Sequence, residues 1–230
     1  MLVIAHRGAS AYAPENTRAA FERAIAMGAD MIETDVQLTR DGELVLIHDA
    51  MVDRTSDGQG PVADHTLAEL RALDVGAWFD PAFAGERIVT LDELIDEFLP
   101  RIPACLEIKD PLATDALLDA IGRRGIGDRI QVTSFSWSAL SRAATRRPDL
   151  VYGFLTPTLH ADIIRRCAAR GFAQVCAPAR ALTVGLVDAA HAAGLRVRAW
   201  GVRERGDVER VIASGADGAT VDWPDWLTQR

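Results

Sequence analysis

A short apolar run followed by a helix-patterned stretch recurs about eight times along this chain of 230 residues, and few folds are open to such a pattern. The first unit is LVIA, a buried strand over 2–5, followed by a helix over 15–27. Ala19, Ala20, Phe21, Ala24 and Ile25 give that helix an apolar face, and Gly28 ends it. From residue 91 the rhythm is regular. Helices over 91–98, 114–124, 137–147, 160–170, 184–193 and 206–214 are separated by ACLEIK, RIQVTSF, LVYGFL, AQVCAP and LRVRAW, and GATVD precedes a short terminal helix. Strands and helices alternating in this way predict a parallel sheet, and about eight units predict a (β/α)8 TIM barrel. The nearest rival, an open doubly wound sheet, would bring a G-x-G-x-x-G turn after the first strand, where this chain has HRGASAYAPEN.

Two segments interrupt the rhythm. Between DMIETDVQL and ELVLIHD lies Arg40-Asp41-Gly42, an Asp-Gly signal for a hairpin. Residues 51–90 are rich in Asp, Gly and Pro and read as a small inserted subdomain after the second strand, with a short helix near 67–73. Its aromatics, Trp78, Phe79 and Phe83, fit a local core and a pocket wall equally well. With no repeat and no low-complexity linker, residues 1–230 are expected to form a single catalytic barrel domain carrying the 51–90 insertion.

Composition excludes some partners. At 49% apolar and 25% charged residues the chain can fill a large core. A formal charge of −8 argues against nucleic acid, whose phosphates need a basic face, but leaves room for a small anion in a cleft. Cys105, Cys167 and Cys176 are odd in number and lack C-x-x-C spacing, as reduced core thiols would. The start, MLVIA, has no basic flank, and no apolar run nears the ~20 residues that span a bilayer. A cytoplasmic protein without stable membrane insertion is expected; the oligomeric state has no signature.

In a barrel of this kind the chemistry sits where strands end, so the polar residues at those ends are the candidates. The first strand ends in His6-Arg7. The second carries Glu33 and Asp35, two apart and therefore on one face, and the hairpin strand ends in His48-Asp49. ACLEIK carries Glu107 and Lys109, again on one face. Later ends are sparser: Thr133-Ser134-Phe135, then Trp200. Three carboxylates in one mouth would repel and raise each other's pKa, which a divalent cation relieves. All-oxygen ligands favour Mg²⁺ or Ca²⁺ over zinc, with Mn²⁺ also admissible. Arg7 and Lys109 leave room for an anion, and His6 and His48 supply two proton carriers. Together these describe a site that breaks a phosphate ester.

Singly, these residues have blander readings. Glu33 and Asp35 could be salt-bridged at the mouth, and Glu107 with Lys109 could be an internal ion pair. His65, His160 and His191 read as ordinary structural histidines. Arg123-Arg124, Arg146-Arg147 and Arg165-Arg166 fall late in helices, where cations favour the C-terminus, and read as solvated faces.

The order HRGAS, PENTRAAFERAIAMGADMIETDVQLTRDGELVLIHD and LEIK, followed by a late GADGATVDWP, resembles the glycerophosphodiester phosphodiesterase family over the whole chain. HRG, PENT, E-x-D and HD in the first fifty residues are the specific part. The resemblance implies a barrel related to phosphatidylinositol-specific phospholipases C. It also implies metal-dependent hydrolysis of glycerophosphodiesters to sn-glycerol 3-phosphate and an alcohol. His6 and His48 match the catalytic pair, Glu33, Asp35 and Glu107 the metal carboxylates, and Arg7 and Lys109 the basic groups around the phosphate. Asn16, from PENT, matches a site-lining or structural asparagine, and Trp200 is carried over as a substrate contact. The resemblance further implies attack by the glycerol 2-hydroxyl and a cyclic phosphate that water opens. One departure is Arg203, where family members often carry asparagine three residues after the late tryptophan. A lysophospholipase D-like hydrolase and a non-catalytic phosphodiester-binding protein are the rival functions.

Overall fold

The computed structural model describes residues 1–228. In it β1 (Leu2–His6) leads through α1 (Arg18–Ala26) to β2 (Met31–Leu38), and the chain turns back as β3 (Leu44–Leu46). An irregular stretch holding α2 (Leu67–Ala72) returns through β4 (Val89–Thr90) into α3 (Leu91–Glu93), which continues as a π-helical turn to Phe98. Then follow β5 (Ala104–Ile108), α4 (Thr114–Arg124), β6 (Ile130–Ser134), α5 (Trp137–Arg146) and β7 (Val151–Leu155). The chain closes with α6 (Ala161–Arg170), β8 (Gln174–Pro178), α7 (Val184–Ala192), β9 (Arg196–Val202), α8 (Arg205–Ser214), β10 (Gly218–Val221) and α9 (Asp225–Thr228).

Eight strands pair in parallel in the order β1, β2, β5, β6, β7, β8, β9, β10, and β10 pairs back with β1. This is the (β/α)8 barrel that the alternation predicts. β3 and β4 stand outside the ring as an antiparallel extension of β2. Every strand is buried on both faces, so outward residues such as Val3, Ile32, Leu106, Val132 and Val197 pack on helix residues such as Phe21, Leu117, Leu140 and Val187. Phe21 meets Phe98 edge to face, with centroids 5.3 Å apart, a contact worth about 0.5–1.5 kcal/mol beyond its buried area. The segment between β3 and β4 has its own small core of Val45, Ile47, Val52, Val62, Leu70, Val75 and Ile88.

Most predicted boundaries shift by a residue or so, and two near the barrel mouth shift further. The first helix starts at Arg18 rather than residue 15, because Asn16 takes a left-handed conformation (φ +58°) and Thr17 caps the helix by accepting from the Ala20 N–H. The hairpin strand ends at Leu46, and His48 lies on the loop beyond it. Trp78, Phe79 and Phe83 form a chain of edge-to-face contacts, and the Trp78 indole donates to the Val75 carbonyl. They pack mainly on one another, outside both the small core and the barrel mouth. Among the described residues no helix is long and apolar enough to cross a membrane.

Candidate active site

At the end of β1 the chain turns away abruptly. Arg7 (φ +55°) and Gly8 (φ +82°) are both left-handed, and a Cβ on Gly8 would lie 2.6 Å from the Ala20 carbonyl carbon. Glycine is therefore required there, while left-handed Arg7 costs about 1–2 kcal/mol. That turn aims the Arg7 backbone N–H at Glu33 Oε2 (3.2 Å) and its guanidinium at Glu15 Oε1 (2.8 Å) and Asp35 Oδ2 (3.3 Å). His6, the last residue of β1, points its Nδ1 at Asp222 Oδ1, 2.6 Å away, just beyond β10. Ser10 also donates to that carboxylate oxygen.

The acids form one cluster. Glu33 and Asp35 leave the same face of β2, and Asp35 is in register with Glu107 on β5. One oxygen from each of the three lies within 4.8 Å of the others, and all three residues are buried. Burial and the neighbouring Asp35 push Glu33 up, and the same two causes push Glu107 up to about 7. Asp35 is also buried, but Arg7 and Lys109 outweigh that and hold it below the usual range. The Lys109 ammonium lies 2.8 Å from Glu107 and 3.5 Å from Asp35. A hard divalent cation fits this all-oxygen cradle, since it would offset the repulsion that raises Glu33 and Glu107. Asn16 sits behind the cluster: its amide donates to Asp35 Oδ2 (3.0 Å) and its Oδ1 accepts from Thr34 (2.7 Å). It orients a carboxylate and does not line the cavity.

His48 is held from below. The Gln37 amide, buried on β2, lies within donating distance of the carbonyls of Ile47 (3.1 Å), His48 (3.1 Å) and Asp49 (2.6 Å). Nδ1 of His48 meets Asp49 Oδ1 at 2.6 Å. Arg54 then donates to Asp49 through Nε (2.6 Å) and to both oxygens of Glu15 (2.8 Å each), and Glu15 accepts from Arg7. The two histidine loops are thus tied together by one chain of ion pairs. The Arg54 hydrogen bond holds Asp49 at about 2. Burial disfavours charge on both imidazoles; at His6 the Asp222 bond and Glu33 outweigh it and raise the pKa. At His48 burial, reinforced by Arg7, prevails over Asp35 and lowers it.

These groups surround a cavity of about 340 Å³ at the C-terminal mouth of the barrel. Of the residues singled out from the sequence, His6, Arg7, Glu33, His48, Glu107, Lys109 and Trp200 line it, while Asp35 lies beneath and Asn16 behind. Phe135, Leu155 and Arg203 line the far wall. Arg198, buried in the barrel interior and donating to Cys105 Sγ at 2.7 Å, lines the floor with Thr220. Sequence reasoning missed Asp222, Glu15, Gln37, Arg54 and Arg198. Asp222 alone had a local signal, as an acid directly after a terminal barrel strand. The other histidines are elsewhere: His65 bonds the Pro61 carbonyl, His191 meets Asp217, and His160 precedes α6.

Residues 6–226 match the model of the glycerophosphoryl diester phosphodiesterase family. A glycerophosphodiester phosphodiesterase of Caldanaerobacter subterraneus subsp. tengcongensis is 40% identical, the match covering 98% of this chain and 96% of that protein. Among solved structures, an Oleispira antarctica phosphodiesterase in complex with the product sn-glycerol-3-phosphate superposes with a TM-score of 0.91 at 28% identity, covering 100% of this chain and 96% of the other. A glycerophosphodiester phosphodiesterase of Agrobacterium tumefaciens gives a TM-score of 0.86 at 28% identity over all of both chains. Matched over nearly its whole length by the family model and by a relative 40% identical, the chain belongs to the glycerophosphoryl diester phosphodiesterase family.

Proposed function

We propose that this protein hydrolyses glycerophosphodiesters to sn-glycerol 3-phosphate and an alcohol, with His6 and His48 as proton carriers and a divalent cation held by Glu33, Asp35 and Glu107. The observation that carries this reading is one cavity in which two carboxylate-backed imidazoles flank a buried triad of acids. A cation bound there, Mg²⁺, Ca²⁺ or Mn²⁺ by its oxygen ligands, supplies Lewis acidity and charge neutralisation beside the phosphate.

The chain's own residues do the rest. Asp222 and Asp49 each accept from an Nδ1–H, which leaves both Nε2 atoms available for proton transfer. One imidazole takes the proton of the attacking hydroxyl as the bond to phosphorus forms. The other protonates the departing alkoxide as its P–O bond breaks. With the glycerol 2-hydroxyl as attacker, water then opens the cyclic phosphate and the proton returns. Arg7 and Lys109 have donors left after binding Glu15, Glu107 and Asp35, and these hold the phosphate oxygens. Asn16 keeps Asp35 in place, and Trp200 walls the substrate.

No observation favours the lysophospholipid reading, since Trp78, Phe79 and Phe83 stand away from the cavity. The three cysteines are buried free thiols, in keeping with a cytoplasmic setting. The test is a coupled assay for glycerol 3-phosphate release from several glycerophosphodiesters. Excess chelator should abolish release and Mg²⁺, Ca²⁺ or Mn²⁺ restore it. Activity undiminished in chelator would remove the metal, and no release under any condition would remove the function.

A further inference from the structure

The far wall of the cavity differs in charge from the rest of it. Most acids around the mouth are engaged by side chains: Asp222 by His6, Asp49 by His48 and Arg54, Glu15 by Arg7 and Arg54, and Asp35 and Glu107 by Lys109, while Glu33 accepts from the Arg7 backbone N–H. Arg203, which also lines the cavity, has no such partner among the described residues. The nearby Asp207 accepts from the Arg203 backbone N–H at 2.9 Å, and the exposed guanidinium has no ion pair among the described residues. Arg203 follows Trp200, whose ring meets Phe135 edge to face at 5.5 Å. The Lys109 ammonium already lies over the Phe135 ring, 5.9 Å from its centroid. A quaternary ammonium reaching this wall would thus find an aromatic face taken and a like charge beside it.

Resting on the hydrolase reading above, we propose that Phe135, Trp200 and Arg203 form the subsite for the alcohol beyond the phosphate, and that Arg203 selects alcohols carrying a second anionic group. The phosphodiester is held at the β1–β5 side by Arg7 and Lys109, so its outer arm extends across the cavity toward β9. A carboxylate or a second phosphate on that arm meets the Arg203 fork, which suits either anion. Arg203 acts on specificity and takes no part in proton transfer.

Two matched pairs of substrates test this and separate the two anion sources. Glycerophosphoserine differs from glycerophosphoethanolamine by one carboxylate. Bis(glycerophospho)glycerol differs from glycerophosphoglycerol by one phosphate diester and its glycerol. The anionic member of at least one pair should have the higher kcat/KM, by roughly 2–5-fold and mainly through KM, the scale of a partly screened charge pair. That ratio should fall toward one in Arg203→Ala, fall below one in Arg203→Glu, and shrink as salt rises. A preference confined to one pair identifies the anion. Ratios of one in both pairs for the unaltered protein, or a ratio unchanged in Arg203→Ala, overturns the subsite while leaving the hydrolase intact. Failure to cleave any of the four, and glycerophosphocholine as well, overturns both.

Discussion

The two halves of the barrel mouth are built on different principles. From β1 to β5 the site residues are interlocked. Arg7 is held by Glu15 and Asp35, Glu15 by Arg54, Arg54 by Asp49, Asp49 by His48, and the turn itself is fixed by two left-handed residues. From β6 to β9 the wall is formed by Phe135, Leu155, Trp200, Val202 and Arg203, the last without an ion pair among the described residues. A change on the first side disturbs several partners at once, whereas a change on the second disturbs its own contacts. On the proposed reading, chemistry is assigned to the half where substitution is expensive and selectivity to the half where it is cheap.

The contrast can be broken by mutation. The largest loss is expected from His6→Ala or His48→Ala, at least ~10²-fold in kcat/KM with the circular dichroism spectrum unchanged. Near-normal turnover in either would move the proton chemistry to other residues. Asp222→Asn keeps the shape but removes the charge that orients the His6 ring, and should cost about 10–100-fold in kcat with little change in KM. A change confined to KM would mean that Asp222 touches substrate. Gln37→Leu should lower kcat by about 3–10-fold, because it frees three carbonyls that hold the His48 loop. Faster proteolysis at residues 47–54 would accompany it, and an unaltered kcat would show that Asp49 and Arg54 hold the loop alone. The smallest effect belongs to the other half. Phe135→Leu should change KM about 2–5-fold and leave kcat within a factor of two. A loss in kcat as large as that of Gln37→Leu would erase the distinction.

The same contrast explains how much could be read in advance. The barrel was legible because each β–α unit carries its own apolar period. Glu33 with Asp35, and Glu107 with Lys109, were legible because residues two apart on a strand share a face. Asp222 was not: it lies 216 positions from His6, and only closure of β10 onto β1 brings them together. Gln37 escaped because a side chain bonding to backbone carbonyls leaves no trace in residue spacing. Glu15 and Arg54 were read as parts of a helix and an insertion, and their shared role emerges only when the 51–90 segment folds back over the first loop. Asn16 was singled out, but its left-handed backbone and its bond to Asp35 place it in support of the site.

The His6–Asp222 pair has a consequence for when the protein becomes competent. Its members sit on the first and last strands of the ring, so no partial barrel can orient the His6 ring. A chain still lacking its final strand lacks the carboxylate that meets the His6 ring. If His6 carries a proton as proposed, turnover during refolding should begin no earlier than the pairing of β10 with β1.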